Sequence, residues 1–356
     1  MQKTRFPNYL ISIFLVIIFA KCDSSNTQSY KLQLENSGAD FVWQFEREFN
    51  YDLKEQSTNE YYKKLVGIQS GADSSIYGID ISSWKIVELD NDLNELTAYG
   101  KGGNGYIDES QNFFSIEIEE EKNYFLIDNG YKIKKYSFQR GFLEYRNLPS
   151  FTNTMALTKD SVFLLCSEGM NEDGLFFYKY SFLDDSIFEA RNILDILKIS
   201  EPVFMADLVY EGFLCRSSEF IIYIPYKVGQ ILLFDNKGKS MKTFPTIDET
   251  PAPIAKEIDL GNDTYTYETD PPYVHFIDGE IKDNKLYILS TIEKPGKRAI
   301  DIYWLPSGDY YGSIQLQDLS DGQKAINFTF IKDDLVVLYE NMTLKKYKMN
   351  NVSAIK

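Results

Sequence analysis

The sequence predicts an all-β fold, a six-bladed β-propeller whose sixth blade is closed by an N-terminal strand. Three observations predict it. Aromatic residues are abundant, with 26 Tyr, 25 Phe and 3 Trp among 356 residues, and together with frequent Ile and Val they favour strands. Short apolar runs ending in Asp-, Asn- or Gly-containing turns recur along most of the chain. Helical periodicity is scarce; Glu46–Lys64 and Ser186–Leu197 are the only stretches that could carry a helix.

The repeat can be followed copy by copy. It runs through SIYGIDISSWKIVELDNDLNELTAYG, NYFLIDNGYKIKKYSFQRGFLEYRNL, SVFLLCSEGMNEDGLFFYKYSFLDDSIFEA, FIIYIPYKVGQILLFDNKGKSMKTF, KLYILSTIEKPGKRAIDIYWLPSGDYYGSI and LVVLYENMTLKKYKM. Anchoring each copy at its third strand places starts near Lys85, Lys132, Phe176, Gln230, Ile300 and Thr343, at intervals of 47, 44, 54, 70 and 43 residues. A period of roughly 40–50 residues with four short strands per unit marks propeller blades. The sixth copy has three strands before the chain reaches Lys356, so Tyr30–Leu34 or Phe41–Phe45 is expected to supply the missing outer strand and cover an otherwise open edge. A single propeller domain is therefore expected over 30–356.

The amino terminus opens with Lys3 and Arg5, followed by an uncharged apolar run, Leu10–Ala20. As a helix this run rises only about 16 Å, roughly half of a ~30 Å hydrocarbon layer, so it suits a signal peptide over residues 1–21 better than a membrane span. Phe19-Ala20-Lys21-Cys22 resembles the end of a bacterial lipoprotein signal, which implies lipidation at Cys22 followed by a polar tether over 22–29. Lys21 stands where such signals carry a small residue. The alternative is cleavage further on, near Ser24, giving a soluble secreted protein.

The net charge is −16, and about −19 once residues 1–21 are removed. Such a surface repels phosphate backbones and anionic lipid, which excludes nucleic acid as a partner and leaves a lipid anchor as the expected membrane contact. Cys166 and Cys215 each sit in an apolar run and are expected to be buried free thiols. With a single histidine, His275, neither a multi-histidine metal site nor a GxSxG-type triad is available, and no metal or cofactor is expected. Gly238-Lys239-Ser240 lacks the rest of a phosphate loop and reads as a hairpin turn; Asp90–Asn94 lacks the Gly and Glu of a calcium loop and reads likewise. The acidic run Glu117–Glu121 reads as a solvated face, and the glycines of Tyr99–Gly105 as a crossover between blades.

The longest interval holds Glu249–Phe276, where Pro251, Pro253 and Pro271-Pro272 argue against continuous regular structure. Tyr265, Tyr267, Tyr273 and His275 gather there with Asp263 and Asp270. Aromatic faces beside carboxylates suit sugars or peptides, and long loops on a rigid ring commonly carry recognition residues. The expected ligand-binding set is Tyr265, Tyr267, Asp270, Tyr273, His275 and Arg216, with no catalytic residue assigned.

The Cys22 signal, the segment LTAYGKGGNG and the passage DPPYVHF…NKLYILS resemble Bacteroidota lipoproteins of a six-bladed, TolB-like propeller group with no assigned function. That resemblance implies a propeller fold and lipid anchoring in the envelope of a Gram-negative bacterium. It implies nothing about catalysis. The expected role is a monomeric binding or interaction module for a glycan, peptide or protein. The alternative is a hydrolase or lyase using channel-facing carboxylates with Ca²⁺, for which Arg216, Asp278 and Glu280 are the first residues to test.

Overall fold

The computed structural model describes residues 46–351 apart from 61–63, 72–74, 83–84, 100–112, 120–122, 170–173, 262–263 and 295–296. The signal, Cys22, the tether, Tyr30–Leu34, Phe41–Phe45, Asp263 and the glycines of 100–105 lie outside the described residues.

The fold is all-β and propeller-like. After an initial strand β1 (Phe49–Glu60), the chain makes four antiparallel four-stranded sheets. The first is β2 (Leu65–Ser70), β3 (Ile76–Asp80), β4 (Lys85–Leu89) and β5 (Glu95–Tyr99). The second is β6 (Phe113–Glu119), β7 (Asn123–Asp128), β8 (Lys132–Ser137) and β9 (Gly141–Asn147). The third is β10 (Thr152–Leu157), β11 (Phe163–Glu168), β12 (Leu175–Ser181) and β13 (Ser186–Asn192), followed by helices α1 (Ile193–Leu197) and α2 (Ala206–Val209). The fourth is β14 (Gly212–Arg216), β15 (Phe220–Pro225), β16 (Gln230–Asp235) and β17 (Ser240–Pro245). A separate hairpin, β18 (Ile254–Gly261) and β19 (Thr264–Asp270), comes next. The remaining strands are β20 (Phe276–Lys282), β21 (Lys285–Lys294), β22 (Lys297–Trp304), β23 (Tyr310–Gln317), β24 (Ala325–Ile331), β25 (Asp334–Tyr339) and β26 (Thr343–Asn351). With β1 they form one eight-stranded sheet in the order β20-β21-β22-β23-β1-β26-β25-β24.

Burial explains the repeat. Every residue of β15 is buried, because its two faces press on neighbouring sheets, and it therefore reads as the unbroken apolar run FIIYIP. The fourth strand of a sheet has one face in solvent; β13 alternates exposed and half-buried positions, which gives the mixed sequence SIFEARN.

Three expectations change. The strand on the edge of β26 is β1, antiparallel from Tyr51↔Asn351 to Glu60↔Thr343. That stretch lies within Glu46–Lys64, whose pattern could carry a helix. An outer strand needs only a half-buried face, so its polar composition hid it, and pairs such as Lys345 Nζ with Glu55 Oε2 at 2.7 Å belong to strand partners nearly 300 residues apart. Ser186–Leu197 divides into strand β13 and the single turn of α1, which Asn192 caps by accepting from the Leu194 N–H. Between the proline pairs of Glu249–Phe276 lies the β18–β19 hairpin; the prolines end it on both sides without interrupting it.

β1 also runs beside β23 in parallel at Phe49 and Tyr51, which joins the two halves of the eight-stranded sheet. Arg47, just before β1, secures that junction. Its guanidinium is fully shielded between two buried acids, donating to both oxygens of Asp301 at 2.8 and 2.9 Å and to Asp248. Ser313 Oγ donates to the same Asp301 at 2.6 Å. Burial would otherwise work against the Arg47 charge, and the two carboxylates hold it firmly protonated.

Candidate functional site

The first strands of the four-stranded sheets, β2, β6, β10 and β14, and the two edge strands of the eight-stranded sheet, β20 and β24, line a common cavity of about 560 Å³. Five of them carry a register shift against their second strand, at Leu65/Ile68, Phe113/Ser115, Thr152/Thr154, Phe276/Asp278 and Ala325/Asn327. A β-bulge bends a strand and re-aims the next side chain. In four cases the residue after the bulge reaches the neighbouring inner strand. Ser115 Oγ accepts from the Met155 N–H at 3.4 Å, Thr154 Oγ1 from Leu214 at 3.1 Å, Asn327 Oδ1 from Ile68 at 2.7 Å, and Asp278 Oδ2 from Phe328 at 2.7 Å.

This internal repeat supplies a control. Ser, Thr and Asn join adjacent inner strands at three positions, so the contact needs no charge. At the fourth stands Asp278, whose carboxyl burial pushes up to about 8, with Glu280 adding like-charge repulsion. A buried carboxyl is costly where an amide would serve. The repeat geometry alone does not call for it.

Glu280 follows two residues later on the same strand and lines the same cavity. It accepts from Ser70 Oγ at 3.0 Å; burial raises its carboxyl to about 7, with Lys282 drawing it part of the way back. Gly279 separates the two acids, and a Cβ there would come within 2.7 Å of Ile224 Cδ1. The glycine lets β20 press against β15 while its flanking acids line the channel.

Opposing charge enters from the other side. Arg216 at the end of β14 donates through Nε to Glu117 Oε2 at 2.7 Å and through Nη2 to the Ile118 carbonyl at 2.8 Å. Glu117 on β6 is only 8 % exposed. Burial raises its carboxyl and Arg216 pulls it back. The reading of Glu117–Glu121 as a solvated face is therefore overturned for Glu117, whose partner stands 99 residues away in sequence. Cys215 also lines the cavity, its thiol raised by burial and by the surrounding Asp278, Glu280 and Glu117, so it is not poised as a nucleophile. Asn153 completes the wall. Its Oδ1 is shielded from solvent and accepts no hydrogen bond from any described residue.

Of the six expected ligand-binding residues, Arg216 lines this channel and the other five do not. Tyr265 projects from β19, 42 % exposed. Tyr267 meets Phe204 edge-to-face and donates to Glu257, and Asp270 pairs with Lys256. His275 is 3 % exposed, beside Tyr273 and Phe276, and burial lowers its imidazole to about 4, so it is neutral at pH 7. Cys166 and Cys215 are free thiols, as expected. Asp90 and Asp235 cap turns between third and fourth strands, as the sequence indicated. Among the described residues no three His, Cys, Asp or Glu side chains gather as a metal-ligand set.

No family model matches the sequence, and no curated protein matches it. Solved structures do match the fold. A streptogramin B lyase superposes with a TM-score of 0.50 at 15% identity, over 86% of this chain and 100% of that one. A Bacteroides fragilis protein described as exported superposes with a TM-score of 0.54 at 10% identity, over 85% and 94% of the two chains. What they share with this chain is the propeller. At such identities the likeness reaches the fold and stops there.

Proposed function

We propose that this chain is a six-bladed propeller that binds a small polar ligand in its axial channel. In this reading the sheets β20–β23 and β24–β26 with β1 count as the fifth and sixth blades, and β1 closes the ring. The protein works in the envelope of a Gram-negative bacterium, lipid-anchored at Cys22, as a relative of the Bacteroidota propeller lipoproteins. One observation carries the binding role. Six first strands converge on a cavity whose wall holds Asp278, Glu280, Glu117 and Arg216, ionisable groups that propeller packing does not require. A volume of about 560 Å³ lies within the range of small-molecule sites. The test is thermal unfolding of the purified protein with glycans, peptides and amines, repeated on Glu280→Gln. A ligand whose stabilisation disappears in that variant supports the channel; one whose stabilisation survives it but is lost in Tyr265→Ala moves the site to the hairpin. Mass spectrometry of the mature amino terminus tests the anchor, and a start beyond Cys22 would make this a soluble secreted propeller.

A second reading, a hydrolase or lyase, rests on a different observation. A carboxyl at about 8 stays largely protonated near neutral pH, one at about 7 is half protonated, and either can donate a proton to a leaving group. Glu117, held beside Arg216, is the anionic partner in that scheme. Bond cleavage in a bound ligand that ceases in Asp278→Asn would select this reading over simple binding.

A further inference from the structure

We propose that the axial channel selects its ligand through a protonated primary amine held by Asp278 and Glu280, in a cavity that Asn153 also lines. This rests on the axial channel being the binding site and names the chemical class it takes.

The argument is an inventory of donors and acceptors. Arg216 is the strongest donor on the wall, and it already serves Glu117 and the Ile118 carbonyl. The Ser70 hydroxyl is committed to Glu280. The acceptors are less satisfied. Asn153 Oδ1 accepts nothing from the described residues. Asp278 accepts one backbone N–H at each oxygen, Glu280 draws neutral donors from Ser70, Thr329 and the Phe330 N–H, and neither acid makes an ion pair among the described residues. A ligand that completes this wall must bring donors and positive charge. An ammonium brings three N–H donors and no acceptor. A carboxylate or phosphate would meet two uncompensated acids and an arginine already neutralised. An apolar group would leave every acceptor unsatisfied, at roughly 1–3 kcal/mol for each. Attraction between an ammonium and a carboxylate is also stronger on a half-buried wall than in open water.

The groups that face these acids fix the direction of the pH dependence. Asp278 is faced by Glu280 on its own strand, Cys215 on β14 and Tyr226; Glu280 is faced by Ser70 on β2, Thr329 and Phe330 on β24, Cys215 and Lys282. A bound cation favours the ionised acids, so binding of 1,4-diaminobutane, whose amines stay charged throughout, tightens as pH rises from 6 to 8.5 and releases protons to the buffer.

Isothermal titration at pH 7, where glucosamine is still mainly an ammonium, with 1,4-diaminobutane, glucosamine, N-acetylglucosamine and glucose tests the proposal. The two sugars without a free amine share the scaffold of glucosamine. The expected result is binding of the diamine and glucosamine, at least tenfold weaker binding of both neutral sugars, and at least tenfold loss of amine affinity in Glu280→Gln. Tyr265→Ala, on the distant hairpin, keeps the wild-type affinity, and wild-type-like unfolding curves show that each variant folds. Neutral sugars that bind as tightly as glucosamine, yet lose affinity in Glu280→Gln, would overturn the amine and keep the axial site. Amine affinity unchanged in both Glu280→Gln and Asp278→Asn would overturn the axial site as well. Failure of both amines to bind would overturn the proposal outright.

Discussion

At the junction between the two halves of the eight-stranded sheet, Arg47 lies out of solvent between Asp248 and Asp301. On the cavity wall, Asp278 and Glu280 are half-buried, and no ion pair among the described residues compensates them. The two clusters use the same residue types at different depth. At that junction one guanidinium is bidentate to both acids, which is the arrangement that keeps buried charge tolerable. On the cavity wall the acids remain raised, and the position of Asp278 in the repeat is filled elsewhere by Ser115, Thr154 and Asn327. Paired acids fix a strand in place; acids without an ionic partner on a cavity wall are the ones the proposed site uses.

The largest effect expected from this contrast is at the junction. Arg47→Met leaves Asp248 and Asp301 buried without their cation and releases the anchor of β1. Chemical denaturation should show a loss of about 3–5 kcal/mol, the usual result of removing one member of a buried pair. A loss under 1 kcal/mol would mean that β1 is held by its pairing with β26 alone.

Next comes Arg216→Met, which strips Glu117 of its partner. Arg216 is about a third exposed, so the loss at pH 7 should be smaller, about 1–2 kcal/mol. Burial then dominates Glu117, its carboxyl rises further, and the deficit should shrink as pH falls and Glu117 takes up a proton. A deficit independent of pH would assign Arg216 a packing role only.

On the axis the sign reverses. Asp278 is pushed up to about 8 from an ordinary value near 3.8, so between those pH values the folded chain holds a proton that the unfolded chain has released. Stability contributed by that proton is present at low pH and falls as pH rises through this window. Asp278→Asn should therefore be more stable than the parent by about 1–3 kcal/mol at pH 8.5, with the difference fading toward pH 5. Asn327 already shows that an amide can accept the neighbouring backbone N–H at this position of the repeat. Destabilisation at every pH would make Asp278 a structural residue. The smallest effect belongs to Tyr265→Ala on the exposed hairpin, which should alter stability by less than about 0.5 kcal/mol.

Much of the strand repeat was legible. Lys85, Lys132, Phe176, Gln230, Ile300 and Thr343, the six anchors, fall within β4, β8, β12, β16, β22 and β26. Middle strands buried on both faces leave apolar runs that sequence displays directly. β1 was misread because an edge strand is half polar, and because its evidence lies in partners such as Asp301, 254 residues from Arg47. In the channel, Arg216, Asp278 and Glu280 could be reached by asking which charges fall on inner strands. Glu117 could not, since an acidic run beside Lys122 looks solvated until Arg216 is brought across from another sheet. The orphaned Asn153 Oδ1 has no sequence signal, because its isolation is a property of the assembled wall.

The most direct test of the axial site is the titration of its own carboxyls. Carboxyl ¹³C resonances, assigned with Asp278→Asn and Glu280→Gln, would be followed from pH 5 to 9 with and without 1,4-diaminobutane. The account predicts midpoints near 8 and 7 in the free protein, both falling by at least one unit when the diamine is present. Midpoints near 4 in the free protein, or midpoints that the diamine leaves unmoved, would contradict it.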